Sequence, residues 1–217
     1  MLSALGFLWN EYRHPSPFIN VRMLKANPSL LGVYGHFVLF SVVFYCGIYG
    51  LPQWLEVSRG FTPAEVGLLI FPLAMMGGVV TPAVSWLIRR RGVRFTLVLS
   101  GSLLFIGCAA IYLFGEGVPT WFIVLVCAVL GLPNAMTNLG LQTRMYWAVS
   151  DGLGVAAGLY QTARYVGGIF STSVLGIVFA AGVDTGALHA MVSVMLVLAA
   201  VIVVLSSLRS KADERMQ

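Results

Sequence analysis

A single arginine stands inside a long apolar, glycine-rich stretch, and residues 156–182 contain no other charge. A helix of this length crosses a bilayer, so Arg164 is expected about 15–20 Å from the start of the span, near the hydrocarbon midplane. A guanidinium there costs at least about 2.5–3.5 kcal/mol on insertion scales. Snorkelling cannot reach the surface from that depth. Arg164 is therefore predicted to contact carbonyls, an acid or an anionic substrate.

Arg164 shares one face of its predicted helix with small and polar side chains. At 100° per residue, that face contains Ala157, Gln161, Arg164, Gly168, Ser171 and Thr172. Small residues allow close helix contact in membranes, and plain packing is the simpler interpretation of the glycines. Packing alone does not require an arginine. We therefore predict a coupling or interface site at Gln161, Arg164 and Gly168.

Two other predicted helices have polar side chains that could line a substrate path. The fourth helix has Asn134 and Asn138 one turn apart, and each amide both donates and accepts hydrogen bonds. The first helix contributes Tyr34, His36 and Tyr45. His36 could relay protons or could equally be hydrogen-bonded structure. These five residues are our candidates for the substrate cavity, and bonding between neighbouring helices is the alternative.

Signatures of catalysis and metal binding are absent from the sequence. It has no phosphate-binding glycine loop, no zinc-protease pair of histidines and no nucleophile elbow. Its three cysteines fall inside predicted spans, where they are typical buried hydrophobes. The sequence predicts no enzyme, no cofactor, no metal site and no nucleic-acid partner. Aspartate and glutamate are also missing from the span interiors, although proton-driven transporters usually need an embedded carboxylate.

The composition predicts an all-α integral membrane protein. Of the 217 residues, 59% are hydrophobic and only 10% are charged, whereas soluble domains average about 25% charged residues. Six stretches approach or exceed the roughly 20 residues that a spanning helix needs, at 30–51, 64–88, 95–114, 120–141, 154–181 and 188–208. We predict a lead-in at 1–28, a bundle at 29–208 and a tail at 209–217.

The basic residues predict the orientation of this bundle. Eleven of the thirteen lysines and arginines fall on one side of the predicted membrane, and only Arg59 falls on the other. Both termini are therefore expected in the cytoplasm of a cell whose plasma (inner) membrane holds the protein. The second loop, a cytoplasmic one, has the densest cluster: Arg89, Arg90, Arg91, Gly92 and Arg94. With both ends inside, six helices divide into two inverted repeats of three, a unit of many secondary transporters.

Three stretches of sequence resemble the major facilitator superfamily, most closely the C-terminal six helices of its fourteen-helix drug:proton antiporter family (EmrB/QacA type). They are the lead-in at 10–24, the segment Gly50-Leu-Pro-Gln-x6-Gly60-Phe-Thr-Pro63-x3-Gly67-Leu-Leu-x2-Pro72, and Ala157-Gly-Leu-Tyr-Gln-Thr-Ala-Arg164-Tyr-Val-Gly-Gly. Residues 78–94 are similar to the family's cytoplasmic gating loop. Arg89 stands where that pattern has an aspartate, which puts the usual charge relay of the loop in doubt.

The resemblance implies half of a secondary active transporter, with proton-coupled efflux of drugs or other lipophilic or cationic molecules by alternating access. The first and fourth helices are then expected to face substrate, the second and fifth to meet another bundle, and the third and sixth to face lipid. The partners implied are the bilayer, substrate, protons, and an N-terminal half of six to eight helices or a second copy. The alternative is a truncated or half-size membrane protein without independent transport, acting as a partner subunit or an inactive relic.

Overall fold

The computed structural model describes residues 27–115, 117–149 and 152–207, and within them the chain forms six helices and no strand. They are α1 (Pro28–Val57), α2 (Pro63–Val79), α3 (Thr81–Ile111), α4 (Thr120–Ala148), α5 (Leu153–Val178) and α6 (Thr185–Ser207). This confirms the all-helical prediction. The lead-in and the tail lie almost wholly outside the described residues.

Four of the helices described, α1, α3, α4 and α6, are long and apolar enough to cross a membrane by length and composition. The helix α2 is equally apolar but has only 17 residues. The helix α5 has 26 residues, and Gln161 and Arg164 interrupt its apolar character. The prediction of a multi-pass helical membrane protein therefore stands, with α2 and α5 as its less regular members.

The helical path that begins in α2 breaks at Gly92, inside α3 and within the stretch 89–94 that was predicted as a loop. Val80 keeps right-handed helical angles, and the amide of Val84 donates to the carbonyl of Val80 across 2.9 Å, so the helical path continues beyond α2. The true break is at Gly92, with φ 84° and ψ 164°, a conformation that only glycine adopts without strain. The break thus falls inside the predicted loop of arginines at 89–94, but it is shorter than predicted. One glycine makes the turn, and Arg89, Arg90 and Arg91 stay helical.

The helices pack in pairs around a shared apolar core. The helices α1 and α5 run side by side in the same direction, joined near their starts by Tyr34 to Ala156 and beyond their ends by Ser58 to Val183. The helix α2 lies along α4, while α3 packs antiparallel to both α4 and α6, and α6 also contacts α1. The fully buried core side chains come from all of these helices and include Phe37, Trp54, Leu73, Leu97, Ile123, Tyr160 and Met191.

Arg59 links the α1–α2 connection to the α3–α4 connection, at the end of the bundle that is predicted to be extracellular. Arg59 follows α1 and donates to the carbonyl of Gly115 at 2.7 Å and to that of Val118 at 3.1 Å. Its guanidinium carbon also lies 5.9 Å from the ring centroid of Trp54 and 5.6 Å from that of Phe61. The segment after α1 is thereby held against the segment that precedes α4.

Candidate substrate-facing site

Arg164 of α5 meets Tyr45 of α1 near the middle of the bundle. Its Nε donates to the phenol oxygen of Tyr45 at 3.0 Å, and its guanidinium carbon lies 5.9 Å from the centroid of the same ring. Both side chains are half-buried. No other hydrogen bond joins this guanidinium to the described residues, so its two terminal nitrogens can still donate to a group outside this part of the chain.

A glycine sets the spacing between α1 and α5 beside this pair. A Cβ on Gly167 would lie 2.5 Å from the Cβ of Ser41 and 2.7 Å from the carbonyl oxygen of Val38. The two backbones therefore touch at this point, which brings Arg164 within reach of Tyr45. The sequence singled out Gly168 instead. At Gly168 a Cβ would make only ordinary contacts, 3.6 Å from the ring of Tyr45.

An open cleft of about 540 Å³ follows the same α1–α5 groove away from Arg164. Its lining includes Tyr49, Pro52 and Gln53 of α1, with Thr172 and Gly176 of α5. The ring of Tyr49 stacks on that of Tyr45, with centroids 5.6 Å apart and an interplanar angle of 15°. This stacking connects the cleft to the contact between Arg164 and Tyr45. Pro52 has no N–H, so it leaves the carbonyl of Ile48 without its usual helical donor. The groove thus presents aromatic faces together with polar groups.

The predicted face of α5 is open at some positions and covered at others. Gln161 and Thr172 are exposed and Gly168 is half-buried, on the side where Arg164 lies. Ser171 is different because it is fully buried against α1, and its hydroxyl donates back to the carbonyl of Gly168 at 2.7 Å. The predicted face is therefore covered by α1 at Ser171.

Two of the predicted cavity residues on α1 are enclosed by protein. Tyr34 is 7% exposed, and its hydroxyl donates to the carbonyl of Ala156 at 3.0 Å. His36 is 4% exposed, and its Nε2 has no hydrogen-bond partner among the described residues. Neither side chain opens to a cavity in this conformation, because α4 and α5 close over the first turns of α1.

The two asparagines on α4 contact each other and α2. The amide nitrogen of Asn138 donates at 2.8 Å to both the backbone and the side-chain oxygen of Asn134. The amide nitrogen of Asn134 faces Gly77, where a Cβ would lie 2.8 Å from it. One turn away, Gly131 packs against α2, and a Cβ at this position would lie 2.6 Å from the carbonyl oxygen of Leu73. The side-chain hydrogen bonds of this stripe among the described residues therefore stay within α4, and the stripe meets α2 by packing at Gly77 and Gly131.

Sequence reasoning missed an aromatic column that supports the site. Tyr160 of α5 is buried, its ring stacks on Phe37 with centroids 4.0 Å apart, and its hydroxyl donates to the carbonyl of Asn138 at 3.4 Å.

The sequence also provided no indication of a buried polar pair between α3 and α4. The hydroxyls of Ser100 and Thr137 lie 2.8 Å apart, and Ser100 donates to the carbonyl of Pro133 at 3.1 Å. A serine and a threonine in apolar helices give little signal in a single sequence.

No metal site is present in the part of the chain that the structure describes, where no three ligand-type side chains come together. Cys46, Cys108 and Cys127 are free and buried. The arrangement offers a half-buried arginine, a set of aromatic faces and an open groove.

A bundle of long apolar helices defines a multi-pass helical membrane protein. Residues 4–172 match the Major Facilitator Superfamily, and the chain belongs to that family. It is 33% identical over 180 residues to the uncharacterized MFS-type transporter YwoD of Bacillus subtilis, over 82% of this chain and 40% of that protein.

Two further relatives have names that refer to resistance. The multidrug resistance protein Stp of Mycobacterium tuberculosis is 26% identical, over 81% of this chain and 32% of its own length. The tetracenomycin C resistance and export protein of Streptomyces glaucescens is 29% identical, over 84% of this chain and 34% of its own length. The chain thus spans only about a third to two fifths of these relatives.

Proposed function

We propose that this chain is the C-terminal half of a secondary active transporter that exports drugs or other lipophilic molecules, cations included, in exchange for protons. The observation that carries the proposal is Arg164, which is held by Tyr45 on the α1–α5 groove with its terminal nitrogens directed to no described residue. A guanidinium at this depth needs an acceptor, and described acids are found only at the helix ends, as Glu56, Glu65 and Asp184. The acceptor then comes from substrate or from another bundle.

The pairing of the helices supports two inverted repeats. If α1, α2 and α3 correspond to α4, α5 and α6, then the parallel pair of α1 with α5 corresponds to that of α4 with α2. Both pairs have a glycine at the contact, Gly167 against Ser41 and Gly77 against Asn134. The pairs α3 with α4 and α6 with α1 correspond in the same way. Such inverted repeats are nested within each six-helix half of transporters of this kind.

The resistance names of the relatives support drugs as the substrate class. Tyr45, Tyr49 and Gln53 offer stacking faces and an amide to an amphipathic ligand in the groove. In this proposal Tyr45 and the groove contact substrate, while Arg164, Gln161 and Gly168 meet the partner bundle. Tyr34 and His36 become accessible only if the helices move apart during transport, whereas Asn134 and Asn138 are already half-buried, as Tyr45 and Arg164 are.

A dye-efflux assay tests the proposal directly. Cells express the chain with and without a matching N-terminal half, at equal membrane levels, and accumulation of a fluorescent substrate is followed while a proton gradient is applied or collapsed. We expect gradient-dependent efflux only from the pair, strongly reduced by Arg164→Gln and partly retained by Arg164→Lys. Ser173→Ala, on the other side of α5, is the control and leaves efflux unchanged.

Three outcomes contradict parts of the proposal. Efflux by the chain alone, together with crosslinked dimers, indicates a half-size transporter that works as two copies. Correct insertion without efflux in any combination indicates a partner subunit or an inactive relic. Full efflux by Arg164→Gln in the active combination removes the assigned role of Arg164.

A further inference from the structure

Two arginines beside the Gly92 turn lie on neighbouring aromatic rings. The guanidinium carbon of Arg90 is 4.9 Å from the ring centroid of Trp86, and that of Arg91 is 5.6 Å from the centroid of Phe95. Each arginine is four residues from its ring, and Gly92 lies between Arg91 and Phe95, within the second pair. The turn therefore presents two cations together, each held by a ring.

The hydrogen-bond donors of these two arginines remain available. A ring attracts a cation through its face, so a stacked guanidinium keeps its N–H groups directed outward in its own plane. Arg90 and Arg91 are both exposed, and neither makes a hydrogen bond or an ion pair with another described residue. Parallel N–H groups of this kind match the oxygens of a phosphate or carboxylate.

Other arginines of the bundle use their hydrogen-bond donors within the protein. Arg94 follows the same turn, but it donates to the carbonyl of Ser207 at the end of α6. Arg59, at the opposite end of the bundle, also lies beside two rings, yet it donates to the carbonyls of Gly115 and Val118. Arg94 and Arg59 therefore have structural partners, whereas Arg90 and Arg91 have rings and open donors.

The surroundings of the turn favour a negatively charged lipid. The described acids, Glu56, Glu65 and Asp184, all lie at the other end of the helices, so none of them neutralises this cluster. Trp86 is 51% exposed and Phe95 is 43% exposed. Exposed rings beside arginines are typical of the level where headgroups meet hydrocarbon. A free anion would use the donors, but only a lipid would also cover the rings.

We propose that Arg90 and Arg91 bind the phosphate of an anionic phospholipid, whose glycerol and upper acyl chains pack on Trp86 and Phe95. The proposal rests on the bundle being embedded in a membrane and does not depend on transport. It assigns different roles to residues that look alike in sequence. Arg90 and Arg91 recognise lipid, and Arg94 fastens α3 to α6.

Native mass spectrometry of the purified full chain tests this site. The protein in detergent is titrated with phosphatidylglycerol or with phosphatidylcholine of identical acyl chains, and lipid-bound fractions are compared. We expect wild type to prefer phosphatidylglycerol, and R90Q/R91Q to lower its affinity for that lipid roughly tenfold without changing phosphatidylcholine binding. R90K/R91K keeps the charge but loses the planar fork, so it should lie between the two. Arg59→Gln is the matched control and keeps the wild-type preference.

The same titration shows which result overturns the proposal. The proposal is contradicted if the R90Q/R91Q protein elutes from a size-exclusion column as wild type does and still prefers phosphatidylglycerol. Equal binding of both lipids by wild type removes it as well, and this comparison needs no variant to fold. A large excess of glycerol phosphate is added in a separate arm. Displacement of the lipid in that arm indicates a site for free phosphate, whereas retention supports the lipid.

Discussion

Arg164 and Tyr45 form a hydrogen bond of 3.0 Å between α5 and α1, halfway along two helices that run in the same direction. The bond uses one of the five N–H groups of the guanidinium and fixes its orientation. Tyr45 in turn stacks on Tyr49, whose ring lines the open groove. A change in the groove can therefore reach the arginine through two rings and one hydrogen bond.

Tyr45→Phe tests the contribution of the hydroxyl of this residue apart from that of its ring. The ring contact remains while Nε of Arg164 loses its acceptor, so we expect a destabilisation of about 1 kcal/mol and weaker efflux by the active combination. Thermal unfolding in detergent and dye efflux measure the two effects. Tyr49→Phe is the matched control, because the hydroxyl of Tyr49 bonds to none of the described residues. Equal effects of the two variants would contradict the assigned bond.

Gly167→Ala should separate α1 from α5. The new methyl group would overlap Ser41 and the backbone oxygen of Val38, neither of which can move without shifting α1. We expect a loss of about 2–3 kcal/mol in the free energy of unfolding. Gly176→Ala on the same helix has no atom within 4 Å of the new Cβ and should be neutral or slightly stabilising. Unfolding in a denaturing detergent compares them, and similar stabilities would contradict a backbone contact at Gly167.

Composition was enough to predict the class of fold, because a bilayer demands long apolar helices whatever their packing. The ends of the helices were less predictable. The helix α4 continues to Ala148, past its predicted end at residue 141, since the polar turns around Arg144 are covered by other helices. At Gly92, one backbone angle decides between a loop and a kink, and apolar periodicity contains no information about that angle.

The site was predicted unevenly for a similar reason. Arg164 and Tyr45 could be found because a charge in a membrane span is expensive and its partners must be polar. Tyr34, His36, Asn134 and Asn138 have the same polar character, but their accessibility depends on which neighbours cover them. Gly167 and Gly168 are adjacent in sequence and identical in type, and only the rotation of α5 decides which one touches α1.

Gly77 and Gly131 should respond differently to alanine, although both lie between α2 and α4. At Gly131 the new methyl group meets the carbonyl oxygen of Leu73 at 2.6 Å, and backbone cannot step aside. At Gly77 it meets the end of the Asn134 side chain, which can rotate. We expect losses of about 2–3 kcal/mol for Gly131→Ala and about 1 kcal/mol for Gly77→Ala.

A double-mutant cycle separates these two mechanisms. Asn134→Ala should relieve the effect of Gly77→Ala because it removes the side chain in conflict, and it should leave the effect of Gly131→Ala unchanged. The measurement is thermal unfolding of the single and double variants in the same detergent. Additive effects for Gly77→Ala and Asn134→Ala would contradict the contact.

Arg59→Ala should loosen the end of the bundle that we predict to be extracellular. It removes two hydrogen bonds to the carbonyls of Gly115 and Val118 and two ring contacts, so the segment before α4 loses its link to α1. We expect a destabilisation of about 2 kcal/mol and faster amide exchange near residues 113–119. The control is Arg89→Ala, since that exposed arginine has no partner among the described residues and its truncation should be nearly neutral. Hydrogen exchange followed by mass spectrometry locates the change, and unchanged exchange in that segment would show that Arg59 does not fasten it.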